Sequence, residues 1–215
     1  MNPKTPEEIV VLSQALNWYD KLNKYFPVEE MKSRKHMETL LAEKEGIYGK
    51  DEGPHHVLMY AEFDDFLFVD YLYVSSESRG QGLGGKLIRK LKEKGKPIIL
   101  EVEPVDYSDT DTAKRLKFYA REGFNHARRI GYSRRSLATG EKNDLEILYW
   151  SPDQADEDTV EQAIFDGMRR TYEEIHTFKD ADFYGESYEP ADDVFDFHRE
   201  QERKDDILQP FAASV

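Results

Sequence analysis

The stretch from Phe66 to Glu103 reads FLFVDYLYV (66–74), SSES (75–78), RGQGLGG (79–85), KLIRKLKEKGK (86–96) and PIILEVE (97–103). Its pattern is strand, connector, glycine-rich turn, helix, strand. Strict alternation along the first strand puts Phe68, Asp70, Leu72 and Val74 on one side and Leu67, Val69, Tyr71 and Tyr73 on the other. Both sides are largely apolar, which suits a central strand covered by helices. A crossover helix leading to a second apolar strand implies a parallel pair in right-handed βαβ form. Gly80, Gly82, Gly84 and Gly85 let the backbone bend sharply and come close to a ligand. The first N–H groups of the following helix lack internal partners, and the helix dipole adds positive potential there. Such a turn suits a phosphate or diphosphate.

Two kinds of protein use this device. Gly80-Gln81-Gly82-Leu83-Gly84-Gly85 fits the dinucleotide fingerprint by letter, and Glu101 follows at about the required distance of ~20 residues. Against that reading, four polar residues part the strand from the turn, and the chain lacks a long run of alternating strands and helices. Arg79-Gly80-Gln81-Gly82-Leu83-Gly84 instead matches Gln/Arg-x-x-Gly-x-Gly/Ala and follows a strand ending in LYV. It resembles the acyl-coenzyme A loop of the GNAT N-acetyltransferase superfamily. Leu116-Lys117-Phe118-Tyr119-Ala120-Arg121-Glu122-Gly123-Phe124 is similar to that family's "FY…GF" helix end, and the resemblance covers about residues 28–150. It implies a mixed α/β fold: a central mixed sheet with flanking helices.

Composition narrows the setting. The 215 residues are enough for one core and an appendage, and there is no cysteine, which removes disulfides and thiolate chemistry. No apolar run approaches the ~18 residues of a membrane span, and MNPKTPEEIV lacks signal-peptide character. The chain therefore reads as soluble and cytoplasmic. Residues 1–150 carry a net charge of −1 and residues 151–215 a net of −13. This contrast suggests an acetyltransferase domain over 1–150 and an acidic, partly helical extension over 151–215. Arg79, Lys86, Arg89, Lys90, Lys92, Lys94 and Lys96 cluster on the turn and its helix, a field that would favour a polyphosphate or merely a solvated helix face.

In chain order, Thr5-Pro6-Glu7-Glu8 is a capping box that predicts a helix over 6–25. A second helix is expected over 28–45, with Met31, Lys35, Met37, Leu40 and Leu41 toward the core and Gly46 ending it. Strands follow at 47–50, 55–62 and 66–74. His55-His56 has no third ligand at metal spacing. After a loop over 104–110, Asp111 or Thr112 caps a helix that ends near Glu122. Strands at 127–135 and 144–150 form a hairpin carrying Arg128, Arg129, Arg134 and Arg135. Without interleaved aromatics, and in an acidic chain, this hairpin does not read as a nucleic-acid surface. Val160, Ile164, Met168, Tyr172 and Ile175 mark an amphipathic helix over 154–177. The aromatic-rich segment beyond is expected to fold back on the domain or onto a second subunit, as in a homodimer, leaving only QPFAASV free.

The resemblance implies transfer of acetyl from acetyl-CoA, as co-substrate, to a primary amine of a small molecule or peptide. It assigns backbone pairing with the pantetheine arm to Leu72, Tyr73 and Val74, and diphosphate binding to Arg79, Gly80, Gln81, Gly82, Leu83, Gly84, Gly85 and Lys86. Tyr119 would be the general acid at the sulfur. Glu101, in LEVEP, matches a glutamate that some members use as base. Asp70 is a second base candidate, read from its apolar strand neighbours alone. No metal is implied. Thr112 and Arg115 depart from the family's frequent asparagine and alanine, so the acceptor stays open. A non-catalytic acyl-CoA-binding regulator and a nicotinamide oxidoreductase remain as alternatives.

Overall fold

The computed structural model describes residues 17–104, 110–136, 138–152 and 156–212. Among them the strands β1 (Tyr48–Gly53), β2 (His56–Glu62), β3 (Leu67–Val74), β4 (Ile98–Val102), β5 (Asn125–His126), β6 (Ile130–Arg135), β7 (Lys142–Trp150) and β8 (Phe195–Phe197) form one sheet. Its order is β1-β2-β3-β4-β7-β6-β8, with β5 beside β7. The helices are α1 (Trp18–Tyr25), α2 (Arg34–Glu43), α3 (Leu83–Lys92), α4 (Thr110–Arg121) and α5 (Glu157–Thr171), with short α6 (Asp180–Tyr184), α7 (Ala191–Val194) and α8 (Gln209–Ala212). The central βαβ unit is β3-α3-β4, whose strands run parallel from Leu67↔Ile98 to Val69↔Leu100. The other pairs are antiparallel.

Helices cover both faces of the sheet. On one, Leu87, Ile88 and Leu91 of α3 and Leu116 and Tyr119 of α4 pack on Leu67, Val69 and Leu100. On the other, Leu22, Met37 and Leu40 of α1 and α2 join Phe66, Phe68 and Ile99 with Ile164 and Met168 of α5 and the following Tyr172 and Ile175. The fit of α5 is close: a Cβ on Gly167 would lie 2.9 Å from Ile99 Cδ1. At the far edge β8 pairs with β6, and the rings of Tyr132 and Phe195 stack at 4.3 Å. Among the described residues no helix is long and apolar enough to cross a membrane.

Strict alternation fails within β3. Met59 pairs with Tyr71 and Tyr60 with Val69, so Asp70 is an extra residue, a β-bulge. The faces exchange there. Phe68 and Tyr71 belong to the α1/α2/α5 side, while Val69, Leu72 and Val74 face α3 and α4. Asp70 therefore does not share a face with Leu72 and Val74. It meets Lys32 and Tyr48 on the side of Tyr71.

Helix starts also differ from expectation, for α1 and α2 because a polar side chain caps a later residue. Asn17 is extended and accepts from the Asp20 N–H at 3.0 Å, so α1 begins at Trp18. The Thr5-Pro6 box and the start of the expected helix lie outside the described residues. The helix expected over 28–45 is instead a single 3₁₀ turn at Val28–Glu30, an extended link, and α2 capped by Ser33. Lys35 is exposed and Lys32 is buried, the reverse of a continuous helix. α4 starts at Thr110, which puts Asp111 and Thr112 in its first turn rather than at its cap. Leu208 is buried and Phe211 packs against the α3/α4 side, so the tail end is held at least to Ala212.

Candidate active site

The bulge decides where the site lies. Pairing between β3 and β4 stops at Val69 and Leu100. Beyond that point Asp70, Tyr71 and Leu72 stand on one wall of a cavity of about 90 Å³, and Glu101, Val102 and Glu103 on the other. Phe26, Glu30 and Lys32 come from the link before α2, Thr112, Arg115 and Tyr119 from α4, and Arg134 from β6. The three catalytic candidates Asp70, Glu101 and Tyr119 thus meet around one chamber.

Its charges are mostly paired. Lys32 Nζ donates to Asp70 Oδ1 at 2.6 Å, and Tyr48 Oη donates to Asp70 Oδ2 at 2.5 Å. Arg115 Nη2 lies 2.9 Å from Glu103 Oε2. Glu101 accepts from His176 Nε2 at 2.8 Å and lies 3.5 Å from Arg134 Nη2. Burial alone would raise Glu101, but His176, Arg134 and Lys32 outweigh it and hold the carboxyl well below the usual range. Burial, then the charge of Lys32, push the His176 imidazole below its ordinary value. We therefore take it as the neutral Nε2–H tautomer, a hydrogen-bond donor to Glu101, with Arg134 as the permanent charge.

Tyr119 is buried among Phe118 and Phe124. Burial pushes its hydroxyl up to about 12, against a smaller pull from Arg115, so it carries its proton throughout the working pH range. Tyr119, Leu72 and Arg115 also line a second, larger space, a groove of about 560 Å³. The groove runs along Val74, Ser78, Arg79, Gly80, Gly82, Leu83, Gly84 and Gly85, with Arg89 of α3 and Lys114, Lys117 and Arg121 of α4 around it. Gly80 and Gly82 hold φ of +79° and +78°, which suits glycine alone. A Cβ on Gly85 would come within 2.7 Å of Glu122 Oε1. Arg79 anchors the turn by donating to the Val74 carbonyl at 3.2 Å and lies over the Tyr25 ring.

Three of the expected cofactor residues do not line the groove. Tyr73 packs on the α1/α2 side and against Tyr25, which lines the groove, Gln81 donates to the Glu77 carbonyl, and Lys86 is exposed. The lysine row is engaged elsewhere too: Lys90 with Asp51, Lys92 with the Glu122 carbonyl, and Lys94 and Lys96 with Glu62. The groove's positive side comes largely from α4, whose basic residues were not singled out in the sequence.

A family model described as an acetyltransferase (GNAT) domain matches residues 37–126, from α2 to β5. A protein of Bacillus subtilis (strain 168) named "Putative acetyltransferase YjbC" is 63% identical over 189 residues, 88% of this chain and 96% of that protein. The chain belongs to the GNAT acetyltransferase family. The dinucleotide reading of the glycine turn is thereby set aside, and the protein is an N-acetyltransferase of the GNAT type. A solved GNAT-family structure from Bacteroides thetaiotaomicron shares the fold, with a TM-score of 0.57 and 20% identity over 86% of this chain and 98% of that one.

Within this GNAT site, sequence reasoning missed Glu30, Lys32 and His176, and named Arg115 and Arg134 without placing them in it. Some had a readable signal. Arg134 shares a strand face with Ile130 and Tyr132, so it points inward and needs a partner. Lys32 would have stood out had Ser33 been read as the cap. His176 had none: α5 widens into a π turn over Tyr172–His176, which brings Ile175 and His176 inward together.

Proposed function

We propose that the protein moves the acetyl group of acetyl-CoA to a primary amine of a small molecule or peptide by direct attack, in the cytoplasm. The observation that carries this reading is the junction of the two spaces: the cation-lined groove and the inner chamber share Leu72, Arg115 and Tyr119 as wall. A thioester reaching along the groove and an amine in the chamber would meet there, and proximity supplies much of the rate. In this reading the N–H groups of Gly80–Lys86 hold the diphosphate, with Gln81 and Lys86 contributing backbone only. Leu72, Tyr73 and Val74 offer backbone groups along the part of β3 that β4 leaves, and an N–H near Leu72 steadies the thioester oxygen as it gains charge. Tyr119 gives a proton to the departing sulfur. Glu101 and Asp70 orient the amine through water. Glu101, held ionised, is a strong hydrogen-bond acceptor and a weak base at neutral pH.

Calorimetric titration with acetyl-CoA and with NADPH, followed by coenzyme A release against a panel of amines, tests this. The panel spans a peptide N-terminus, lysine, a polyamine, an aminoglycoside and a simple alkylamine. Binding of acetyl-CoA alone and release with at least one amine are expected. Absence of acetyl-CoA binding, or tight binding without release for every amine, would refute the reading.

A further inference from the structure

We propose that Glu30 is the proton acceptor for the incoming ammonium, held beside Glu103 and Arg115. This rests on the acetyl-transfer reading above and assigns a further catalytic residue to the same site. The chamber's other carboxylates each have a cation: Asp70 has Lys32, Glu101 has Arg134, and Glu103 has Arg115. Arg115 is shared: its charge also reaches Glu30, so Glu30 and Glu103 have one cation between them. Glu30 Oε1 is buried with no donor among the described residues, and the group facing it is a second carboxyl, Glu103. A buried acceptor without a donor is costly, and an ammonium supplies a donor to that oxygen.

The position of Glu30 is fixed from below. Tyr71 Oη donates to the Glu30 carbonyl at 2.8 Å and accepts from the Lys32 N–H at 3.0 Å, so one hydroxyl clamps both sides of the link. Phe26 packs edge-on against the same Tyr71 ring. Glu30 also lines a small cavity of about 10 Å³ on the far side, together with Glu29, Tyr184 and Tyr188. The charged and titratable groups around Glu30 are Glu29 on its own turn, Lys32 just beyond it, Asp70 and Tyr71 of β3, Glu101 of β4 and Glu103 just after it, Arg115 and Tyr119 on α4, Arg134 on β6, and His176, Tyr184 and Tyr188 on the far side. Burial first, then the shared hydrogen bond and charge of Glu103, raise its carboxyl to about 8, while Arg115 pulls the other way.

The step balances. An arriving ammonium displaces the Glu30 proton to solvent and settles on the carboxylate. Glu30 then takes one N–H proton. The neutral nitrogen forms the C–N bond at the thioester carbonyl, the C–S bond breaks, and the nitrogen's surplus proton reaches sulfur through the Tyr119 hydroxyl. Glu30 keeps the proton it took, which restores its starting state, so one turnover releases a single proton.

The test does not depend on knowing the natural acceptor. In protein carrying ¹³C-carboxyl glutamate, the Glu30 resonance is identified by its loss in Glu30→Gln and followed against pH. It should titrate well above the other glutamates, move down in Glu103→Gln, and move down again when n-butylammonium chloride is added, but not with tetramethylammonium, which has no N–H. Glu30→Gln should bind acetyl-CoA within about twofold of wild type and lower turnover with any accepted amine by roughly 10²-fold or more, the loss expected of a general base. A Glu30 that titrates with the ordinary glutamates, ignores n-butylammonium, or can be replaced by glutamine without loss of turnover would overturn the proposal. Failure of acetyl-CoA to bind wild type would instead strike the transfer reading, and the carboxyl titration would still decide the role of Glu30.

Discussion

The groove takes most of its polar surface from two segments close in sequence, the turn and start of α3 and the helix α4. The chamber takes its own from the link before α2, β3, β4, α4 and β6, with His176 behind Glu101. A backbone N–H cradle needs only glycines at set spacing and a helix behind them, so it can be written in one short stretch. Balanced buried charges need partners that the fold alone brings together, and no stretch contains them. The two regions should therefore fail in different ways when disturbed.

The largest effect is expected from removing residues 151–215. These residues belong to the core around the chamber, where Ile164, Met168, Tyr172 and Ile175 are at most 2% exposed. Full burial of such side chains contributes roughly 1.5–3 kcal/mol each, so four of them rival the ~5–15 kcal/mol that holds a whole domain. We propose accordingly that 151–215 is a docked extension on which 1–150 depends. The truncated chain should lose cooperative thermal unfolding. A truncated protein that melts like the full chain and binds acetyl-CoA would show that groove and chamber are separable after all.

Next is Tyr119→Phe, at the wall between the regions. It should lower turnover by about 10²–10³-fold, in the range of lost general-acid help, with acetyl-CoA affinity nearly unchanged in calorimetry. Unchanged turnover would return Tyr119 to the core. Smaller, and confined to the groove, is Gly82→Val. Its φ of +78° is costly for a β-branched residue, so acetyl-CoA affinity should fall about 10- to 100-fold, or ~1.4–2.8 kcal/mol, in a protein that still folds. Lys90→Ala is the control: Lys90 pairs with Asp51 rather than lining the groove, and its loss should leave affinity as it was. The reverse pattern would move the phosphate site onto the lysine row.

The same contrast explains what could be read in advance. The βαβ unit, the glycine turn and the placement of Tyr119 follow from local pattern and spacing. The bulge at Asp70 does not, because FLFVDYLYV alternates without a break, and only the register with Met59 and Tyr60 reveals the extra residue. Glu30 and Lys32 were hidden by a plausible helix that Ser33 cuts short. Glu101 was readable as a strand-end acid, but its low proton affinity comes from Arg134 and His176, at sequence distances no motif spans.

The smallest predicted effect isolates one chamber carboxyl in the resting protein. Glu30 has a folded pKa raised from 4.5 to about 8, chiefly by burial and then by Glu103. The folded state therefore binds this proton more tightly than the unfolded chain does. Its contribution to stability is complete below the unfolded pKa near 4.5 and is lost as pH rises through about 8, where the ionised group is left beside Glu103. Glutamine has no proton to lose. The melting temperature of Glu30→Gln relative to wild type should therefore rise between pH 5 and pH 9, by at least about 2–4 °C, the shift that ~1 kcal/mol produces in a chain of this size. Glu62 provides the opposite sign: hydrogen bonds from Lys94 and then Lys96 lower its pKa against burial, so its contribution is complete above its unfolded pKa and lost only as pH falls below that value. Glu62→Gln should then differ from wild type equally at pH 5 and pH 9. A constant offset for Glu30→Gln as well would mean that Glu30 ionises like a surface acid, and the chamber would then be no more than a set of matched pairs.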